Sequence, residues 1–232
     1  MTDKTLTECD ILAAKSDQCT RSALFIGKDS VEIPHTEAHL DDYCEIKKQD
    51  VLCMREWGTK CLKNVPRQLY MTIIKNIRIM FKEFCDTDTG KRTFLKHLEC
   101  VEPTDLRILN KVLGRLTNAL FFVANNVTRD RMITYACCAV QVTYEEIPME
   151  MQDICSPNAV PETTIDFFRS LIKRTVGDIL DLGCGKFQSI SYCNSHLTQG
   201  MQDMTSYINE KELPNESFMI PLMDFSNKID GQ

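Results

Sequence analysis

Twelve cysteines run almost end to end through this 232-residue chain, and they restrict its fold more than any other feature: Cys9, Cys19, Cys44, Cys53, Cys61, Cys85, Cys100, Cys137, Cys138, Cys155, Cys184 and Cys193. Zinc sites are built on close pairs such as C-x-x-C with a second pair downstream. Here no C-x-x-C occurs, and the early spacing runs C-x9-C, then C-x8-C-x7-C, then C-x14-C. An even, dispersed set without metal geometry reads as disulfides, which places the chain in an oxidising, extracellular compartment. Asn126 (N-V-T) and Asn215 (N-E-S) are N-glycosylation sequons compatible with that route. The first twenty residues hold no apolar core of the signal-peptide kind, so the chain is read as a mature form without its leader.

The apolar residues recur at helical intervals. Leu106, Leu109, Leu113, Leu116, Leu120 and Val123 follow a heptad stripe behind Pro103, with Leu113 at its middle and expected in the centre of the core. Leu69, Ile73, Ile77, Phe81 and Phe84 line one face over 67–85. Ile165, Phe168, Leu171, Ile172 and Ile179 recur over 161–182, with Gly183 expected as the left-handed glycine that closes the helix. Weaker helices are expected at 4–24, 37–62 with a break near Lys48, 91–100, 129–143 and 189–209. Ala139–Tyr144 is the one β-rich window and is assigned to a helix end. The expectation is an all-α, disulfide-stapled bundle of about eight helices, one domain over 1–211, with an irregular C-terminal tail over 212–232.

Charge and length exclude several classes. A net charge of −6 lacks the basic footprint of a nucleic-acid binder. No apolar run approaches the roughly 18 residues of a membrane span.

The motifs resembling chemistry each lack a part. Cys137–Cys138 is similar to the C-C-x-x-H of secreted phospholipases, but Gln141 stands where the general base would be. The pair reads instead as two half-cystines with different partners. His35 and His39 have the H-x-x-x-H spacing of a zinc peptidase, yet Thr36 replaces the water-activating Glu. They read as solvated histidines at a helix start. His97 and His196 have no Ser or Asp partner in a recognisable elbow. The Gly183-Cys-Gly-Lys186 string lacks the strand and register of a phosphate loop, and Trp57 reads as a core anchor. No catalytic residue, metal or cofactor is therefore expected.

Spacing also bears on the bridges. Helical segments would set Cys9 and Cys19 about 15 Å apart, and Cys53 and Cys61 about 12 Å apart. Both exceed the roughly 4.4–6.8 Å between the Cα atoms of a disulfide. Two antiparallel helices instead allow Cys9–Cys61 and Cys19–Cys53, two rungs of a hairpin around Trp57. The rival arrangement gives one of these partners to Cys44 and leaves a single rung.

The ladder E-C-x9-C, D-D-Y-C-x8-C-x7-C, F-C-x14-C-V, followed by D-I-C155 and T-I-D-F-F-R-S-L-I-K-R before Cys184, is also a resemblance. It resembles the arthropod 27-kilodalton hemolymph glycoprotein family and the related nematode-type secreted domain of unknown function, over about residues 9–193. The resemblance implies a secreted helical fold without known catalysis, and it transfers no active-site residue. Two functions then lead, the first ahead of the second. One is a non-catalytic extracellular protein of hemolymph, saliva, venom or another secretion that binds a macromolecule through its surface. The other is a carrier holding a small hydrophobic ligand in an apolar cavity between helices. A third reading, a hydrolase with an unfamiliar constellation, finds no base–nucleophile signature to support it.

Overall fold

The first two helices, α1 (Glu8–Ala23) and α2 (Glu37–Lys60), form a hairpin with two disulfide rungs, Cys9–Cys61 and Cys19–Cys53. Their Cα separations are 5.6 and 6.3 Å, so outer pairs with outer and inner with inner. Cys44 takes neither partner; it joins α2 to the next helix through Cys85. Lys47 bridges the two helices of the hairpin from inside. Its Nζ donates to the Ser22 carbonyl at 2.7 Å and the Ser22 hydroxyl at 2.6 Å, at the C-terminal turn of α1, where carbonyls lack helical partners and attract a cation.

This computed structural model describes residues 6–23, 33–99, 101, 106–151, 162–210 and 219–230. After the hairpin come α3 (Asn64–Asp86), α4 (Asp88–Leu98), α5 (Leu106–Asn126), α6 (Arg129–Met151), α7 (Glu162–Gly183), α8 (Ile190–His196), α9 (Thr198–Glu210) and α10 (Met219–Asp230). A short 3-10 turn, Gly185–Phe187, precedes α8. The described residues contain no strand, and none of their helices is long and apolar enough to cross a membrane.

Two hydrophobic cores organise these helices. The first joins α1–α4 to α7, with Trp57 set edge-on to Tyr70 at 5.1 Å and Phe84, Phe94 and Phe167 in mutual contact. The second gathers Leu116, Leu120 and Val123 of α5, Met132 and Tyr135 of α6, Cys193 of α8, and Met201, Met204 and Ile208 of α9. α10 reaches both, through Met223 into the first and Phe225 into the second. Adjacent Cys137 and Cys138 bridge to Cys184 and Cys193, tying α6 to the end of α7 and to the middle of α8. Cys100, Cys155 and Asn215 lie outside the described residues, while Asn126 ends α5 on the surface.

Several expectations are corrected. The described residues hold ten α-helices, not about eight. The 189–209 segment divides at Leu197, a buried residue with φ −126 that ends α8 before α9 begins. The expected C-terminal tail contains α10, held by the Arg129 guanidinium on the Ile229 carbonyl at 2.6 Å and by Lys228 on the carbonyl of Ala124. α2 runs unbroken through Lys48, because Tyr43, Cys44, Lys47, Val51 and Met54 keep one continuous buried face. Ala139–Tyr144 sits in the middle of α6, which continues past Pro148 to Met151; there tertiary burial outweighs the modest β-propensity of Val and Thr. Gly183 is the last residue of α7, and the left-handed conformation falls on Gly185, with φ +50.

The first core has a pH signature. Tyr70 is fully buried, its hydroxyl 2.6 Å from Ser16 Oγ, and burial pushes its phenol up to about 12. Burial, helped by Asp50, also raises Tyr43. A raised phenol means that the folded state holds the proton more tightly than the unfolded chain. The stabilisation is full below pH 10 and lost as pH rises through about 12, up to about 3 kcal/mol for Tyr70. Lys47 acts in the opposite sense. Burial lowers its pKa, with Asp50 opposing, so its destabilising contribution fades as pH climbs to 10.5. The melting temperature is therefore expected to fall between pH 10.5 and about 12, followed by circular dichroism. A flat profile over that range would contradict the buried phenols.

Candidate functional site: an apolar cavity between the two cores

The two cores do not close on one another completely. Between them lies a cavity of about 490 Å³, walled by α3, α5, α6, α7 and α10 and reached by Thr20 and Ala23 at the end of α1. Volumes of roughly 300–1,000 Å³ suit small-molecule ligands. The stripe Leu113, Leu116 and Leu120 supplies the α5 wall. Ala136, Val140 and Ile147 supply the α6 wall, and Phe168, Ile172 and Ile179 the α7 wall. Leu113 is thus corrected from core centre to cavity wall, and it is only half-buried. The side chains of Leu106 and Leu109 lie outside the described set.

The wall is apolar even where its residues are not. Thr20, Thr72, Thr143 and Thr175 all line the cavity, and each hydroxyl donates to the carbonyl four residues back in its own helix. With those donors engaged, the threonines leave the lining overwhelmingly apolar. At one margin Leu182 is 90% exposed and Ile133 44% exposed, with Gly183 beside Ile133. Large aliphatic side chains in water next to an apolar space mark a mouth. Gln68 and Asp178 are the other solvent-exposed lining residues with polar side chains.

The walls are tied independently of whatever fills them. The Cys137–Cys184 bridge sits in the lining and fixes α6 to the end of α7. Asn76 of α3 donates to the Thr175 carbonyl and to Asp178 Oδ2, both at 3.3 Å, and Arg174 pairs with Glu83. An apolar space of about 490 Å³ left unfilled forgoes the contacts its lining could make. Water finds few polar partners in such a space. The economical occupant is an apolar molecule entering by the mouth.

The other residues singled out from sequence are scattered. His35 precedes α2, and Thr36 is the cap, its hydroxyl accepting from the His39 amide at 3.2 Å, so the two histidines do not share a helix face. Among the described residues no three His, Cys, Asp or Glu side chains gather as metal ligands. Trp57 is buried in the first core. His97 stacks on Phe167, and burial lowers its pKa. One contact escaped sequence reasoning: Ser195 Oγ lies 2.8 Å from His196 Nδ1. Both belong to the exposed end of α8, the ring stacks on Tyr192, and the same Nδ1 lies 3.0 Å from the Tyr192 carbonyl. The arrangement reads as a helix terminus satisfying its own polar groups. No family model, curated protein or solved structure matches the chain.

Proposed function

We propose that the protein is a secreted carrier of a small hydrophobic molecule, held in the cavity between its two cores. The observation that supports this reading is the lining: aliphatic side chains from five helices, with the threonine donors turned back into their own helices. The disulfide framework agrees with an extracellular setting, where cross-links protect a protein with an incompletely filled interior. Nothing as specific marks a surface for a macromolecule, so the carrier reading takes precedence over surface binding.

The test is uptake of the neutral fluorophore N-phenyl-1-naphthylamine by the oxidised full chain. One saturable site per chain is expected. Ala136→Phe adds a ring to the α6 wall and is expected to weaken uptake by more than about tenfold, with a cooperative melt retained. Val140→Phe fills the same wall from one turn further and serves if the first variant folds poorly. Unchanged uptake by a folded variant would place the fluorophore elsewhere and contradict the assignment.

A further inference from the structure

We infer that the cargo is a neutral aliphatic molecule, a hydrocarbon chain bearing at most a hydroxyl group, and not a fatty-acid anion. The inference rests on the carrier reading and narrows it by hydrogen-bond and charge chemistry. A hydroxyl side chain has one donor and two acceptor lone pairs. In the wall the donors of Thr20, Thr72, Thr143 and Thr175 are already engaged, at 2.8, 2.9, 3.0 and 2.7 Å, by carbonyls of their own helices. Thr20, Thr143 and Thr175 are buried. Thr20 is also engaged by the Tyr70 hydroxyl, so what Thr72, Thr143 and Thr175 still offer a guest is acceptor capacity. A carboxylate or ester carbonyl, which only accepts, finds no donor among them; the one other side-chain donor in the described lining is the Gln68 amide, which is solvent-exposed and competes with water. An alcohol donates to a threonine oxygen, and a plain hydrocarbon asks for nothing.

Charge selects in the same direction. Among the described lining residues there is no Lys, Arg or His to pair with an anion. The one ionisable side chain there is Asp178, exposed at the margin and accepting from Asn76. A carboxylate headgroup would meet that like charge on a chain whose net charge is already −6. Burying an anion without a partner is costly, whereas a methylene chain gains about 0.8 kcal/mol per buried CH₂.

Competition at matched chain length tests this. The oxidised full chain is loaded with N-phenyl-1-naphthylamine and titrated with 1-dodecanol or with dodecanoate at a pH where the acid is ionised. Dodecanol is expected to displace the fluorophore at a concentration at least about tenfold lower than dodecanoate. Equal or better displacement by dodecanoate overturns this inference and leaves the carrier reading standing. A chain that takes up neither fluorophore nor dodecanol overturns both.

Discussion

Complete reduction of the disulfides is expected to unfold the protein. The five bridges among the described residues span 34 to 55 residues each, and closing loops of that length restricts the unfolded chain by roughly 4 kcal/mol per bridge. The loops of Cys137–Cys184 and Cys138–Cys193 overlap, so the contributions are not additive. Even half of the combined effect, about 10 kcal/mol, matches the usual net stability of a domain. The interior does not compensate, because the two cores leave a cavity between them. In reductant, far-UV dichroism should show loss of most helix and of the cooperative melt. Before reduction, the denatured protein should show no titratable thiol, which requires Cys100 and Cys155 to be paired. A fully reduced chain melting within a few degrees of the oxidised one would show that packing alone holds the helices.

The second large effect is expected at a glycine. Gly90 lies in the first turn of α4, where its N–H donates to the capping Thr87 hydroxyl at 2.9 Å. A Cβ there would stand 2.0 Å from the Glu83 carbonyl oxygen and 2.8 Å from Thr87 Oγ1. The first obstacle is backbone of α3, which Phe84 in the core and the Cys44–Cys85 bridge hold in place. Gly90→Ala should therefore cost about 3 kcal/mol or more, equivalent to a drop of roughly 6–12 °C in Tm for a chain of this size. Gly177→Ala is the control. Its Cβ would meet only Lys173 Cγ at 3.7 Å, and removing a mid-helix glycine should stabilise by up to about 1 kcal/mol. If the two variants melt alike, the close approach of α3 to α4 is wrong.

The parts of the fold legible in the amino-acid sequence are those governed by spacing along one helix. Cysteine intervals longer than a disulfide can span force pairing between helices, which is how the α1–α2 rungs become readable. Cysteine spacing says nothing about which of two unequal cores Cys44 or Cys138 will serve. α10 is hidden because Pro221 and its short length mask the burial of Met223 and Phe225. The candidate site is the least legible part, since a leucine facing another side chain and one facing empty space obey the same period. Leu113 and Val123 belong to one stripe, yet the first lines the cavity and the second is fully buried in the second core. The available signal was the Val140, Val142, Thr143 cluster in α6. Those residues are indifferent helix formers, and Val140 and Thr143 line the cavity.

Organic extraction of the purified, oxidised protein followed by mass spectrometry tests the central claim most directly. The protein should be produced in a secreting eukaryotic host, so that it meets lipids before isolation. The cavity between the cores predicts release of a neutral aliphatic species, up to one molecule per chain, and markedly less from the Ala136→Phe variant. Extracts from both proteins that contain no such species above a matched blank, together with no saturable fluorophore site, would contradict the carrier account.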